Sequence, residues 1–409
     1  MSGICEGRER DALELSLLVT RAYALVALKS ITAPETFEVM SAAKRLLDRG
    51  VGTDLQRVSV LFGLCSEATL GARMQPALDF AHEIIEVAER QGDPTYRLVA
   101  YRMLATNQYY AGHNRLGLDS LLRGKRHRDP SRQRALSHRF GWDPSLAILA
   151  FEVLVRLSLG LIDSAAEISA QVEHEASTHT HATTIATVKF CAQTWPKAVL
   201  GDFAALERGS AELVAYCTEN HVEQIRLLAS MHFAYARAMR EPLAENIAAF
   251  RAAFDQVRSA GGFTGSSMIL SHLAEVALEA GELAQAESDL ARGFAFVEHS
   301  GERFWLADLH RLSGRLALRL AEADRPRAEA CFRKAIEIAR SQQGRLLELR
   351  AANDLAHLWR NSNSGGDVRA LLEPILEAVE GGADTRDVRN AHELLAGLAW
   401  TGWAGLPSE

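Results

Sequence analysis

The strongest constraint in this sequence is a beat of forty residues. Helix-ending small or polar pairs recur at Leu159-Gly160, Leu200-Gly201, Arg240-Glu241, Ala280-Gly281 and Ala321-Glu322, and their second members lie 40 or 41 residues apart. A second set of breaks, at Gly261, Gly301 and Gly344, marks the far end of each unit. Glycine ends helices readily, so two breaks per unit imply two helices of about 16–20 residues. A period of this length is the mark of stacked helical hairpins, each of which buries its apolar face only against its neighbours.

Inside a unit the apolar spacing is helical. Ile269, Leu273, Val276, Ala277 and Ala280 fall on one face of a 3.6-residue helix. In the second helix, Ala286, Leu290 and Gly293 put small residues where an antiparallel neighbour must come close; Ala328, Phe332 and Ala335 repeat that spacing. The sets Ala274, Gly281, Ala286, Leu290, Gly293 and Ala105, Gly112, Gly117, Leu121, Gly124 resemble the tetratricopeptide (TPR) pattern, with a longer period. Only 10 prolines occur in 409 residues, and helix interiors exclude proline. The expected fold is all-α: a TPR-like α-α superhelix (solenoid) of about nine hairpins plus a C-terminal capping helix. The hairpins are placed at 8–49, 54–91, 94–124, 143–177, 179–220, 221–260, 264–300, 302–343 and 345–381, with the capping helix at 385–399. Residues 1–409 read as one continuous array. The one long stretch without periodicity, 125–142, reads as a basic inter-repeat loop, and the tail from Trp400 to Pro407 reads as irregular.

Bulk properties exclude several classes. No apolar run reaches the roughly 18–20 residues needed to span a bilayer, and the N-terminus lacks the basic-then-apolar order of a signal peptide. A cytoplasmic protein without membrane contact is expected. Five cysteines at wide spacing (Cys5, Cys65, Cys191, Cys217, Cys331), without a CxxC pair, read as reduced packing residues rather than a disulfide or zinc framework. A formal charge of −7 disfavours general nucleic-acid binding.

Three segments narrow the resemblance. Gly301 to Arg360, the stretch HRFGWDPSLAILAF (His138 to Phe151) and the stretch ITAPETFEVMSAAKRLLD (Ile31 to Asp48) resemble the C-terminal helical-repeat region of large bacterial signalling proteins. Members of that family join a signal-transduction ATPase to a class III adenylate cyclase domain or to a winged-helix DNA-binding domain. The sequence has no G-x-x-x-x-G-K-[ST] phosphate loop and no recognisable paired cyclase aspartates. The resemblance therefore implies the regulatory half of such a protein, with ATPase or cyclase activity in a separate or missing module.

Candidate functional residues are few. Arg123, Lys125, Arg126, Arg128, Arg132, Arg134 and Arg139 stand against a single acid, Asp129, a local +6 within a chain of −7. Such a cluster could receive an anion or an acidic partner. No aromatic residue interrupts it before Phe140, which disfavours single-stranded nucleic acid. Tyr96, Tyr101, Tyr109 and Tyr110, with Asn107, lie on the first helix of the third hairpin, where first helices of a superhelix line the concave face. Tyr101, Asn107 and Tyr109 are the expected partner-binding residues, although ring packing between helices is the commoner fate of such residues. Asp143-Pro144 reads as an N-cap followed by proline at the first helical position, and Gly141 as the turn before it. His174, His179 and His181 lack the HExxH order of a zinc hydrolase, and a solvent-exposed loop is the expected setting. Trp305 and Trp359 read as core. No catalytic triad order, nucleophile elbow or dinucleotide fingerprint occurs. The expectation is a non-catalytic scaffold that binds a protein or peptide partner or an effector in its concave groove, without cofactor or metal, in signal transduction or transcriptional control. The alternative is a small-molecule sensor with a pocket inside the superhelix.

Overall fold

The computed structural model describes residues 7–29, 31–320, 324–362 and 366–401. Among them the chain is a run of paired antiparallel helices. Hairpin 1 is α1 (Arg8–Leu28) and α2 (Pro34–Asp48); hairpin 2 is α3 (Asp54–Leu70) and α4 (Met74–Gln91); hairpin 3 is α5 (Pro94–Tyr110) and α6 (Asn114–Lys125). Short helical turns follow, α7 (Pro130–Gln133), a 3-10 turn Arg134–Leu136 and α8 (Ser137–Phe140). Hairpin 4 is α9 (Pro144–Ser158) and α10 (Ile162–Ala176). Hairpin 5 has a divided first helix, α11 (Ala182–Val188), a π-turn Lys189–Thr194 and α12 (Trp195–Leu200), before α13 (Phe203–Glu219). Hairpins 6, 7 and 8 are α14 (Glu223–Arg240) with α15 (Ala244–Ser259), α16 (Ser266–Glu279) with α17 (Leu283–Ser300), and α18 (Leu306–Arg319) with α19 (Arg325–Ser341). Hairpin 9 is α20 (Arg345–Ser362) and α21 (Val368–Glu377), and α22 (Arg386–Thr401) ends the stack. The expected TPR-like superhelix of nine hairpins and a last helix is the observed fold. The break at Ala321-Glu322, Cys5, and the tail beyond Thr401 lie outside the described residues.

Local chemistry explains the ends. Asp143 accepts from the Ser145 amide and Pro144 opens α9, as the sequence implies. The same pairing of cap and proline starts α5, where Asp93 accepts from Thr95 ahead of Pro94. Thr53 and Gln56 close a reciprocal capping box on α3. The structure adds two features. The stretch 125–142, read as a basic inter-repeat loop, contains helical turns: Asp129 accepts from the Arg132 amide and starts one at Pro130. The first helix of hairpin 5 widens into a π-turn because Pro196 has no amide for the Ala192 carbonyl; the Ser169 hydroxyl supplies the missing donor at 2.6 Å.

What sets the overall shape is contact between hairpins five apart. The Leu70 carbonyl, at the turn of hairpin 2, accepts from the Phe263 and Thr264 amides ahead of α16 at 2.9 and 3.2 Å. Tyr110, at the turn of hairpin 3, accepts in the same way from Arg303 and Phe304 ahead of α18, at 2.8 and 3.1 Å. Gly160, at the turn of hairpin 4, accepts from Glu380 at 2.8 Å, and the Glu380 carbonyl accepts from Ile162 at 2.9 Å, forming a parallel bridge beyond α21. Gly160 has φ +78°, and a Cβ there would sit 2.7 Å from Arg345 Cβ, so the seam needs glycine for conformation and for space. The superhelix thus turns once in about five hairpins, and successive turns touch.

This closure fills the axis. Every residue of α9 from Pro144 to Val155 is buried, as is every residue of α16 from Ser266 to Leu278. A helix buried all round has neighbours on every side. Tyr109 packs against Trp195 of hairpin 5 and Phe304 ahead of hairpin 8, with ring centroids 6.5 and 5.2 Å away. Trp305 and Trp359 are buried, as expected of core residues. Cys65, Cys191 and Cys217 are buried free thiols, and burial pushes Cys65 and Cys191 up to about 12.

Candidate functional site

The structure brings the residues expected to bind a partner into the interior rather than onto an open groove. Asn107 is fully buried: its Nδ2 donates to the Met103 carbonyl at 3.0 Å, and its Oδ1 accepts from the Thr69 hydroxyl at 2.8 Å, tying α5 to α3. Tyr109 is 1% exposed within the axial aromatic cluster. Tyr101 is half-buried; its hydroxyl donates to Glu89 at 3.1 Å and its ring stacks on His127. Of the three, Tyr109 meets the next turn of the superhelix, through Phe304.

The basic cluster is also largely engaged within the chain. Lys125 pairs with buried Glu152 at 2.9 Å, and Arg132 pairs with Asp93 at 2.6 Å. Arg128 pairs with Glu175 and donates to the Ser145 carbonyl and hydroxyl at 3.0 Å. Arg134 donates to Thr178. These contacts fasten hairpin 3 to hairpin 4, since the matching acids and carbonyls lie on the elements that the segment bridges. Arg123 and Arg126 are exposed, and the Arg139 side chain lies outside the described residues. His179 is buried rather than in an exposed loop: its Nε2 meets Asp143 Oδ2 at 3.2 Å, while His181 caps α11. No group of three or more His, Cys, Asp or Glu side chains that could hold a metal occurs among the described residues.

A different site forms on the first helices of the last superhelical turn, α14, α16, α18, α20 and α22. Five such helices make one turn, and among the described residues no other element covers their concave face. They enclose a cleft of about 480 Å³. Its floor is a buried ion network. Arg311, 3% exposed, donates through Nε to Asp308 at 2.6 Å and through Nη1 to Asp354 at 3.0 Å, and lies 3.5 Å from Glu275. Ser271 donates to the other Asp308 oxygen. Arg350 donates through Nε to Asp387 at 2.9 Å and through Nη2 to the Val199 carbonyl, so it joins the cleft wall to hairpin 5 one turn back. Burial alone would raise the carboxyls of Glu275 and Asp308. The Arg311 guanidinium beside both, with Arg386 near Glu275 and Arg350 near Asp308, outweighs it and holds both well below the usual carboxylate range.

Two buried groups at the edge of this network titrate abnormally. Burial lowers His272 to about 4, partly offset by Glu275 and Asp308, and lowers His232 to about 3, aided by His272. His272 stacks on Tyr235 with centroids 4.1 Å apart, and its Nδ1 has no hydrogen-bond partner among the described residues. Such a histidine is neutral in the folded chain and must be protonated when unfolding occurs below its ordinary value of 6.5. Its stabilisation is complete above pH 6.5 and is lost as pH falls toward 4. Glu302, raised by burial to about 7, acts oppositely, with stability falling as pH rises from 4.5 to 7. The informative readout is therefore a difference. The stability of wild type minus that of His272→Phe, from denaturant titrations, should drop by about 3 kcal/mol between pH 6.5 and 4. A flat difference across that range would refute the neutral, buried state.

Sequence reasoning missed this cleft, yet a signal exists. Glu275, Arg315, Asp354 and Glu393 recur at intervals of 40, 39 and 39 residues, and Arg311, Arg350 and Arg389 at intervals of 39. Charges repeating at the structural beat on otherwise apolar first helices must share one face of the stack.

No family model matches the chain, and no curated protein matches it by sequence. Among solved structures it is similar to a Rap protein complexed with Competence and Sporulation Factor, with TM-score 0.58 and 11% identity over 95% of this chain and 99% of that one. What the two share is the fold. A Rap conjugation gene regulator of plasmid pLS20, in complex with the Phr* peptide, aligns with TM-score 0.49 and 7% identity over 97% and 98% of the two chains. A signal transduction ATPase with a tetratricopeptide repeat sensor, PH0952 from Pyrococcus horikoshii, aligns with TM-score 0.46 and 12% identity over 95% of this chain and 53% of that one.

Proposed function

We propose that this chain is a non-catalytic, TPR-like regulatory region that binds a peptide segment of a partner in the cleft of its last superhelical turn. The observation that carries this reading is the cleft itself, open to solvent, lined by charged side chains and backed by a buried network that fixes their positions. Preorganised polar groups hold a ligand without the entropic cost of ordering them. The complex of the similar Rap protein with Competence and Sporulation Factor supports binding as the role of such a superhelix. The family resemblance of the sequence supports a place in bacterial signalling, with an ATPase, cyclase or winged-helix module as the output, in trans or in a longer chain.

A second reading, a small-molecule effector, is favoured by one observation: about 480 Å³ is within the size range of small-ligand pockets. Thermal-shift screening against peptides, nucleotides and sugars separates the two. A peptide at 100 times its Kd should stabilise the chain by about 2.7 kcal/mol. That gain should vanish when Asn353, in the cleft wall, is changed to Ala. Stabilisation by a small metabolite alone would replace the partner reading with the effector reading.

A further inference from the structure

We propose that two copies of this chain associate through the outer face of α1, packed antiparallel about a two-fold axis. A helix with no further hairpin stacked on it is expected to turn a polar face outward. The outer face of α1 is apolar instead. Its inner face packs on the array through Leu15 and Ala22, both buried, with Leu18 and Leu25 beside them. On the opposite side Leu13 and Leu17 are 43% and 54% exposed, and Leu28 is 83% exposed. Leu13, Leu17, Thr20 and Ala24, all exposed, are spaced by 4, 3 and 4 residues. That spacing is the seam of a two-helix coiled coil, not a scatter of surface leucines. Thr20 is the one polar residue in it, and its hydroxyl already donates to the Ser16 carbonyl at 2.9 Å, so closing an interface over it strands no donor.

Two features of the seam identify the occupant as a second copy in antiparallel orientation. The first is size, because the leucines fill one half of the seam and the small residues the other. Antiparallel pairing sets Leu13 of one copy between Thr20 and Ala24 of the other, large against small. Parallel pairing would instead crowd leucine on leucine and leave a void at Thr20 and Ala24. The second feature is charge. Glu14 and Arg21 flank the seam on the same side, one heptad apart. That separation is beyond the i, i+3 and i, i+4 pairs that a helix supports. Neither has an ion pair among the described residues, whereas neighbouring Asp11 pairs with Arg49 at 3.2 Å. Antiparallel helices bring like flanks together, so the register that nests Leu13 also places Glu14 of each copy opposite Arg21 of the other. One axis thereby answers both unpaired charges and the uneven seam, and a contact of this symmetry closes at two copies.

The full chain is tested by sedimentation velocity over a wide range of loading concentrations. Wild type should pass from monomer to dimer. Leu17→Glu, which changes an exposed side chain, should weaken that association by about tenfold or more while leaving thermal unfolding unchanged. Glu14→Arg and Arg21→Glu should each weaken self-association, since one crowds the shared flank with cations and the other with anions. Mixed together, the two weakened variants should form a dimer with each other as tight as that of wild type, because the charges of each meet their opposites on the other. A chain that stays monomeric throughout would overturn the inference and leave the face to a different occupant. A dimer indifferent to Leu17→Glu would overturn it by placing the contact elsewhere, and a mixture that associates no better than its components would overturn the antiparallel register.

Discussion

Replacing Arg311 with alanine is expected to destabilise the C-terminal hairpins by about 3–5 kcal/mol. Arg311 is the hub of the cleft floor, in contact with Asp308, Asp354 and Glu275, and both it and Asp308 are almost wholly buried. A buried pair gains little over a well-packed apolar alternative, because desolvation cancels much of the attraction. Removing one partner is different, since the carboxylates left behind remain buried without compensation. Arg350 lies 3.9 Å from Asp308 and could relieve only part of the loss. The measurement is a denaturant titration with hydrogen exchange, in which amides of α16, α18 and α20 should lose protection before those of α3 and α5. Adding Asp308→Asn to Arg311→Ala should recover part of the loss, because it removes the charge that the arginine neutralised. A midpoint for Arg311→Ala within about 0.5 kcal/mol of wild type would show that the network contributes nothing beyond a surface pair.

Phe332→Ala should cost a similar amount, about 3–5 kcal/mol, by a different route. Phe332 is 0% exposed and fills the space between α18 and α19 beneath Gly314, where a Cβ would lie 2.6 and 2.8 Å from its ring and 3.0 Å from the Ala328 carbonyl. Truncating the ring leaves a cavity that the flanking helices close only by shifting relative to each other, which strains the rest of the stack. The converse change, Gly314→Ala, should cost about 1–3 kcal/mol by overpacking. Because the two sites touch, they should not be additive: in the double variant Gly314→Ala/Phe332→Ala, the added methyl group occupies part of the cavity. Its loss should fall below the sum of the singles by more than about 0.5 kcal/mol, measured by the same titration. Strict additivity would contradict the contact.

The hairpins were legible because their signals are local. A glycine or capped proline at each end and an apolar stripe of period 3.6 suffice to place α3 with α4 at 54–91, and the helices occupy those limits. Three local readings failed where a distant partner intervened. The Lys125 to Arg134 segment read as a basic cluster for an anion or acidic partner because its own acids, Glu152, Glu175 and Asp93, lie up to 47 residues away in sequence. His179 looked exposed in a Thr-rich string, yet Asp143, 36 residues earlier, pairs with it in the interior. Asn107 and Tyr109 were expected to bind a partner, yet Asn107 ties α5 to α3 and Tyr109 packs on Phe304 from a hairpin five units on.

The sequence by itself determined that this protein is a stack of helical hairpins, about where the hairpins begin and end, and the apolar faces by which they pack. Those properties depend on backbone preferences and contacts within about forty residues, and a repeating pattern states them many times over. Only the tertiary structure decided how tightly the stack coils. One turn in about five hairpins brings Leu70, Tyr110 and Gly160 against segments far along the chain, closing the groove there, while among the described residues the cleft between α14 and α22 stays open. Pitch is the accumulated sum of small rotations between neighbours, so no single repeat encodes it. The place of the cleft, and with it the charged side chains that line it, follows from that sum.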